Sequence, residues 1–268
     1  MNPRTRAVFD AARADNRAVL IGYLPAGFPT VSDSVALMRA MFDGGVDLIE
    51  VGLPYSDPLM DGPAIQEAVD CALKAGVTTA DVLKVVSEVD PGENQAAVVM
   101  SYWNPIERYG QRRFAEDLAS AGGSGVITPD LTPEEATAWI EATDAMGIDR
   151  TFLVAPSSTD ARIGQVSSAC TGFVYAASTM GVTGARDQVS SAAPTLVSRV
   201  RQQTEAPVGV GLGVSTADQA ADIASYADGV IVGSAFVRRI LDAPSTEAAL
   251  ESVRAFASEL AEGVRRGR

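Results

Sequence analysis

The chain of 268 residues is predicted to fold as a closed (β/α)8 barrel of the α/β class, with an extra amino-terminal helix and a single domain spanning 1–268. Three observations carry this. Eight short apolar runs of strand length alternate with about eight stretches of helical periodicity, the pattern of a parallel sheet wrapped by crossovers. The length suits a barrel of about 250 residues plus one helix. No Pro/Gly/Ser-rich linker marks a boundary between units, which favours closure over a doubly wound open sheet.

In order along the chain, residues 3–16 place Val8, Phe9 and Ala12 at helical spacing, giving an amphipathic helix before the first strand, 19–24. Pro25, Gly27 and Pro29 break that strand. Thr30 or Ser32 caps a helix whose Val35, Met38, Met41 and Phe42 share one face and which ends at Gly44 and Gly45. The second strand, 48–52, runs into a proline-rich loop and then two helices, 64–75 and 79–89. The third strand, 96–101, opens into a loop at Tyr102, Trp103, Asn104 and Pro105, with a helix from 111 to about 121. After the fourth strand, 125–127, Thr132, Pro133 and Glu135 read as a capping box with proline at the first helical position, and Ala136, Trp139, Ile140 and Thr143 continue the helix. A fifth strand at 152–154 leads to a helix ending near 169, and a sixth at 173–176 to a long loop and a helix ending near 203. The seventh strand is 208–211, followed by a helix that Ser215 and Asp218 begin. The eighth is 230–232, where Gly233 and Ser234 open a last helical region interrupted near Pro244.

Composition narrows function. A formal net charge of −13 argues against a nucleic-acid or anionic-membrane partner, while leaving room for a phosphate site made of backbone amides. Cys71 and Cys170 are too few for a disulfide framework and have no metal-ligand neighbours, so both are expected reduced and buried, with no metal. The amino end carries charges throughout with no signal-like apolar segment, and no apolar run reaches membrane length; a cytoplasmic location is expected.

In a parallel barrel the chemistry lies at the carboxyl ends of the strands. There the stretch Glu-Val-Gly-Leu-Pro-Tyr-Ser-Asp-Pro-Leu-Met-Asp-Gly-Pro, 50–63, holds Glu50 at a strand end and Asp61 on a stiff loop. The chain has no histidine, so proton transfer near neutral pH falls to carboxylates, Tyr, Lys or Cys. Glu50 in an apolar run must be paired, solvated or catalytic, and an ion pair with Arg150 is the structural alternative. Asp61 before Gly-Pro would by itself read as a turn-maker. Loops 181–185, 211–215 and 232–235 are rich in Gly and Ser. Each alone reads as a tight turn, but three neighbouring ones, with helix amino termini, point to a phosphate site. Gly209, Gly211 and Gly213 lack the spacing of a dinucleotide fingerprint. Tyr102, Asn104, Asp130 and Tyr175 are polar groups near other strand ends, each more often structural than catalytic when taken singly.

The motif at 50–63, with Ser-Tyr-Trp-Asn-Pro (101–105), the run 172–185, Gly-Leu-Gly-Val-Ser (211–215) and Val-Gly-Ser-Ala (232–235) in this order, closely resembles the tryptophan synthase alpha chain family from about residue 20 to 236. The resemblance implies a (β/α)8 barrel that cleaves indole-3-glycerol phosphate to indole and glyceraldehyde 3-phosphate by a retro-aldol reaction. It implies no cofactor in this chain, and a pyridoxal-phosphate beta chain as partner in an α2β2 assembly. It places the catalytic carboxylates on Glu50, which protonates indole C3 and then helps deprotonate the glycerol hydroxyl, and on Asp61, at the indole nitrogen. It implies substrate contacts at Tyr23, Met100, Ile127, Tyr175, Thr183 and Leu212, and phosphate contacts at Gly184, Gly213, Gly233 and Ser234. Thr183 would close onto Asp61 as part of a lid from Gly181 to about Ser191, and Asp57 and the 101–105 segment would face the partner. Departures from the family pattern at Phe28, at Thr128 and Pro129, and at Thr179 or Met180 leave the carboxylate pair untouched. The competing expectations are another phosphate-binding barrel isomerase or epimerase, and a non-catalytic regulatory subunit.

Overall fold

Strands β1 (Val19–Pro25), β2 (Leu48–Gly52), β3 (Ala96–Met100), β4 (Gly125–Ile127), β5 (Asp149–Thr151), β6 (Leu153–Val154), β7 (Val174–Ala177), β8 (Val208–Gly211) and β9 (Gly229–Val232) pair in the order β5-β4-β3-β2-β1-β9-β8-β7-β6. All pairings are parallel. The computed structural model describes residues 4–177, 192–211 and 213–268. β5 and β6 are two pieces of one stave interrupted only at Phe152: β5 pairs with β4, β6 pairs with β7, and the Tyr175 amide donates to the Phe152 carbonyl at 3.2 Å. The sheet therefore closes into the expected eight-stave barrel.

Among the described residues the helices are α1 (Arg4–Ala14), α2 (Val31–Asp43), α3 (Pro63–Lys74), α4 (Thr79–Val89), α5 (Trp103–Tyr109), α6 (Gln111–Ser120), α7 (Thr137–Met146), α8 (Asp160–Ala169), α9 (Ala192–Arg201), α10 (Ala217–Ala224), α11 (Ser234–Leu241) and α12 (Thr246–Arg266). Inward positions alternate with outward ones along each strand. The inward set, including Val19, Ile21, Leu48, Val98 and Phe173, forms an inner core that α1 plugs from below with Val8, Phe9 and Ala12. The Phe9 and Phe173 rings meet at 5.4 Å. With its lower end filled, the barrel is left with its upper end, where the strands finish, as the place for a site.

Several expectations are corrected. The fifth stave begins at Asp149 rather than 152, and neighbouring elements satisfy the arginine inside it: the Arg150 guanidinium donates to Thr143 Oγ1 at 2.8 Å and reaches the Asp144 carboxylate, both on α7, and its amide donates to Thr171 Oγ1. The segment read as a loop at 103–105 is the first turn of α5, where Pro105 loses no helical bond because first-turn amides have no partner within the helix. Thr132 and Glu135 bond side chain to side chain at 3.2 Å, making a turn; α7 starts only at Thr137, with no side-chain cap. Thr216, not Ser215, caps α10, accepting from the Gln219 amide. Thr30 caps α2 as expected. Both cysteines are free, but neither is buried: Cys71 lies on the exposed side of α3 and Cys170 is half-buried.

Candidate active site

The register of three neighbouring strands sets the first part of the site. Tyr23 on β1, Glu50 on β2 and Val98 on β3 stand side by side, one layer above Ile21 and Leu48. Glu50 is only 3% exposed, and its Oε1 has no hydrogen-bond partner among the described residues. Removing a carboxylate from water without compensating charge favours its neutral form. Burial accordingly pushes the Glu50 carboxyl from 4.5 up to about 8. The ion pair with Arg150 is not formed, since Arg150 is committed to Asp144 and Thr143. At pH 7 Glu50 is mostly protonated, a proton donor enclosed in an apolar wall.

Asp61 is held differently. It is buried on the loop that leads into α3, and Tyr102 Oη donates to its Oδ1 at 3.0 Å. The same phenol oxygen accepts from the Leu59 and Met60 amides, each at 3.1 Å. Burial raises the Asp61 carboxyl above its ordinary value while the Tyr102 hydrogen bond pulls it down. Tyr102 thus pins both the carboxylate and the loop carrying it. The sequence left Tyr102 among structural residues; its partners lie 41 to 43 positions away, and no local pattern signals that contact. Tyr102→Phe removes a donor to Asp61 and strands two loop amides, an unmet-bond cost of about 1–3 kcal/mol. The expected result in steady-state assays is a kcat lower by roughly tenfold.

Two further tyrosines enclose the carboxylates. Burial raises the Tyr23 phenol well above 10, and the charge of Asp61 adds to this, with a smaller contribution from Glu50. Burial does the same for Tyr175, with Glu50 adding to it. These couplings place Glu50, Asp61, Tyr23 and Tyr175 around one space. Two strand-end glycines make room for the rings. A Cβ on Gly52 would lie 2.4 Å from the Tyr23 hydroxyl, and one on Gly211 would lie 2.6 Å from that of Tyr175. Gly211 therefore leaves the space that the tyrosine hydroxyl occupies. Met100 and Ile127 pair in register at the ends of β3 and β4 and add apolar wall.

On the other side of the mouth, Gly213 follows β8 with a left-handed φ of 68°, Gly233 is the N-cap of α11, and Ser234 is its first residue. A groove of about 610 Å³ opens beside Ser234 and Ser215 and does not reach the carboxylates. Thr183, Gly184, Leu212 and the expected lid lie outside the described residues. Asp130, one of the polar strand-end residues, accepts from the Trp103 amide at 2.9 Å and anchors the start of α5. The Asn104 side chain donates to the Tyr55 hydroxyl at 3.3 Å, tying the same helix to the 53–62 loop.

The family model described as tryptophan synthase alpha chain matches residues 9–265. The tryptophan synthase alpha chain of Thermobifida fusca is 61% identical over 95% of both chains, and that of Salinispora tropica 59% identical over 98% of both. Among solved structures, a chain of Mycobacterium tuberculosis tryptophan synthase superposes with a TM-score of 0.91 at 54% identity, covering 99% of each chain. The alpha chain from Legionella pneumophila keeps a TM-score of 0.87 at 29% identity over 98% of each. A buried acid, a pinned carboxylate and an apolar mouth thus sit on a scaffold shared almost end to end with these proteins, and the chain belongs to the tryptophan synthase alpha chain family, lyases that cleave indole-3-glycerol phosphate to indole and glyceraldehyde 3-phosphate.

Proposed function

We propose that Glu50 and Asp61 divide this cleavage between them. Protonated Glu50 delivers its proton to C3 of the indole ring, and the positive charge that develops at the ring nitrogen is relieved by Asp61, which accepts from the N–H. The carboxylate left on Glu50 sits in the apolar wall that disfavours it, and it regains a proton from the hydroxyl on the carbon attached to C3. That oxygen becomes the aldehyde carbonyl, the C–C bond breaks, and its electron pair returns to the ring as indole. The observation that carries this reading is the buried Glu50 carboxyl in the middle of β2, its Oε1 without a hydrogen-bond partner among the described residues and burial raising it to about 8. The lyase reading stands ahead of an isomerase because the donor and the nitrogen-side carboxylate are both present, and ahead of a regulatory subunit for the same reason.

Tyr23, Met100, Ile127 and Tyr175 hold the indole ring, with Thr183 and Leu212 assigned to the same pocket. Gly213, Gly233 and Ser234, with Gly184, take the phosphate through backbone amides and the α11 amino terminus. The reaction needs no cofactor in this chain; pyridoxal phosphate belongs to the beta partner. The whole chain, 1–268, acts as one barrel domain, and the cytoplasm is its assigned location. No described helix is long and apolar enough to cross a membrane. Pairing with a beta chain in an α2β2 assembly is supported by the loop carrying Asp57, where Leu59 is 72% exposed next to the pinned Asp61. An apolar side chain presented there suits an interface that communicates with the site. Titrating the chain with a tryptophan synthase beta chain tests this: co-sedimentation and faster indole release are expected, whereas unchanged turnover with no complex would count against the partner.

A further inference from the structure

The groove of about 610 Å³ beside Ser234 enters the mechanism above only through Ser234, and it is built in a definite way. Two i,i+4 pairs of α11 line it, Ser234 with Arg238 and Ala235 with Arg239, followed by the C-cap Asp242 and by Ala243. The opposite wall is a row of α12, Ala248, Ser252 and Phe256. Helical side chains lean toward the amino terminus of their helix, so Arg238 covers the turn that begins at Ser234. One turn rises only about 5.4 Å, well within the reach of an arginine. Arg239 is fixed by stacking, its guanidinium carbon 4.0 Å from the centre of the Phe256 ring.

Both arginines of this pair line the groove. In a chain of net charge −13, Arg254 and Arg266 on α12 are matched by Asp43 and Asp218, but neither Arg238 nor Arg239 forms an ion pair with a described residue. Asp242, the C-cap of α11 four positions after Arg238, lines the groove as well. Ser234, the first residue of α11, lines the same groove, as do Gly62 and Pro63 at the start of α3.

We propose that Arg238 and Arg239 form a second anion station, which holds a phosphomonoester dianion beside the Ser234 cradle and contributes to binding the substrate's phosphate. This rests on the phosphate assignment above and adds two side-chain cations to a site otherwise made of backbone amides. The station acts on binding of a remote group, so its loss is expected in KM rather than in kcat.

The test uses the full chain with Arg238→Gln/Arg239→Gln, and Arg238→Gln alone as a second variant that leaves the Phe256 stacking intact. Indole-3-glycerol phosphate kinetics at low salt are expected to show a KM roughly five- to tenfold higher in the double variant, in the range two partly exposed charge contacts supply. The difference is expected to shrink at high salt, and Arg238→Lys/Arg239→Lys to restore most of the loss. Calorimetric titration with inorganic phosphate is expected to show weaker binding by the double variant. A KM within twofold of the wild type in both Gln variants overturns the proposal, including when phosphate binding alone is weakened, since the groove then serves some other anion. If the wild type releases no indole, the reaction assignment fails; the phosphate titration still reads the groove, and undiminished affinity in the double variant overturns the station on its own.

Discussion

Glu50→Gln is expected to lower indole formation by about 10²- to 10⁴-fold, the range that a positioned acid-base group supplies. Glutamine keeps the size and polarity of the side chain but cannot give and retake a proton, so binding of a phosphate analogue is expected to persist. The variant is also expected to be the more stable protein above neutral pH. Burial raises the Glu50 carboxyl from 4.5 in the unfolded chain to about 8 in the fold. Between these values the folded state keeps a proton that the unfolded chain has released, so wild-type stability falls as pH rises through this window and stays lower above it. Glutamine carries no such cost. Melting temperatures of wild type and variant should lie close together below pH 4.5 and diverge by several degrees above pH 8, the variant melting higher. In the wild type, kcat/KM should fall as pH rises through about 8, because the protonated acid is the form that starts the reaction.

Asp61→Asn is the second large effect. The amide oxygen of asparagine can still accept from Tyr102, so the loop that the phenol pins should stay in place and the lost quantity is the negative charge. Stabilising a developing cation at the ring nitrogen is then no longer possible, and kcat is expected to fall by about 10²-fold or more with a smaller change in KM. The contrast with Tyr102→Phe is diagnostic. That variant keeps the charge and loosens its position, and its loss should be the smaller. A larger loss in Tyr102→Phe than in Asp61→Asn would mean that loop geometry, not charge at nitrogen, dominates this side of the site.

The features legible in the sequence were those whose physics is local. The runs 96–101 and 230–232 read as strands, observed as Ala96–Met100 and Gly229–Val232, because both faces of a barrel strand are covered, one by the inner core and one by helices. Glu50 stood out because a charge inside such a run has few structural uses, and it is as buried as the run implied. Asp149 to Thr151 escaped notice for the converse reason: an arginine inside a buried strand is tolerable because Thr143 and Asp144 on α7 and Thr171 after α8 satisfy it. The first turn of α5 was hidden by Pro105, which marks a break everywhere except within a helix's first residues. Gly211 was visible as a glycine but not as the space that the Tyr175 hydroxyl occupies. Tyr102 could be named but not assigned, because its grip on Asp61 exists only once β3 has brought the two segments together.

The mechanism stands on one property, a Glu50 carboxyl that is protonated at neutral pH. The direct measurement is a pH titration of the full chain with ¹³C-labelled glutamate side chains, the Glu50 carboxyl resonance being identified by its absence in Glu50→Gln. A midpoint near 8 is the expected result, coinciding with the alkaline limb of kcat/KM. A midpoint near 4.5, with full activity retained above it, would contradict the account, since Glu50 would then have no proton to deliver.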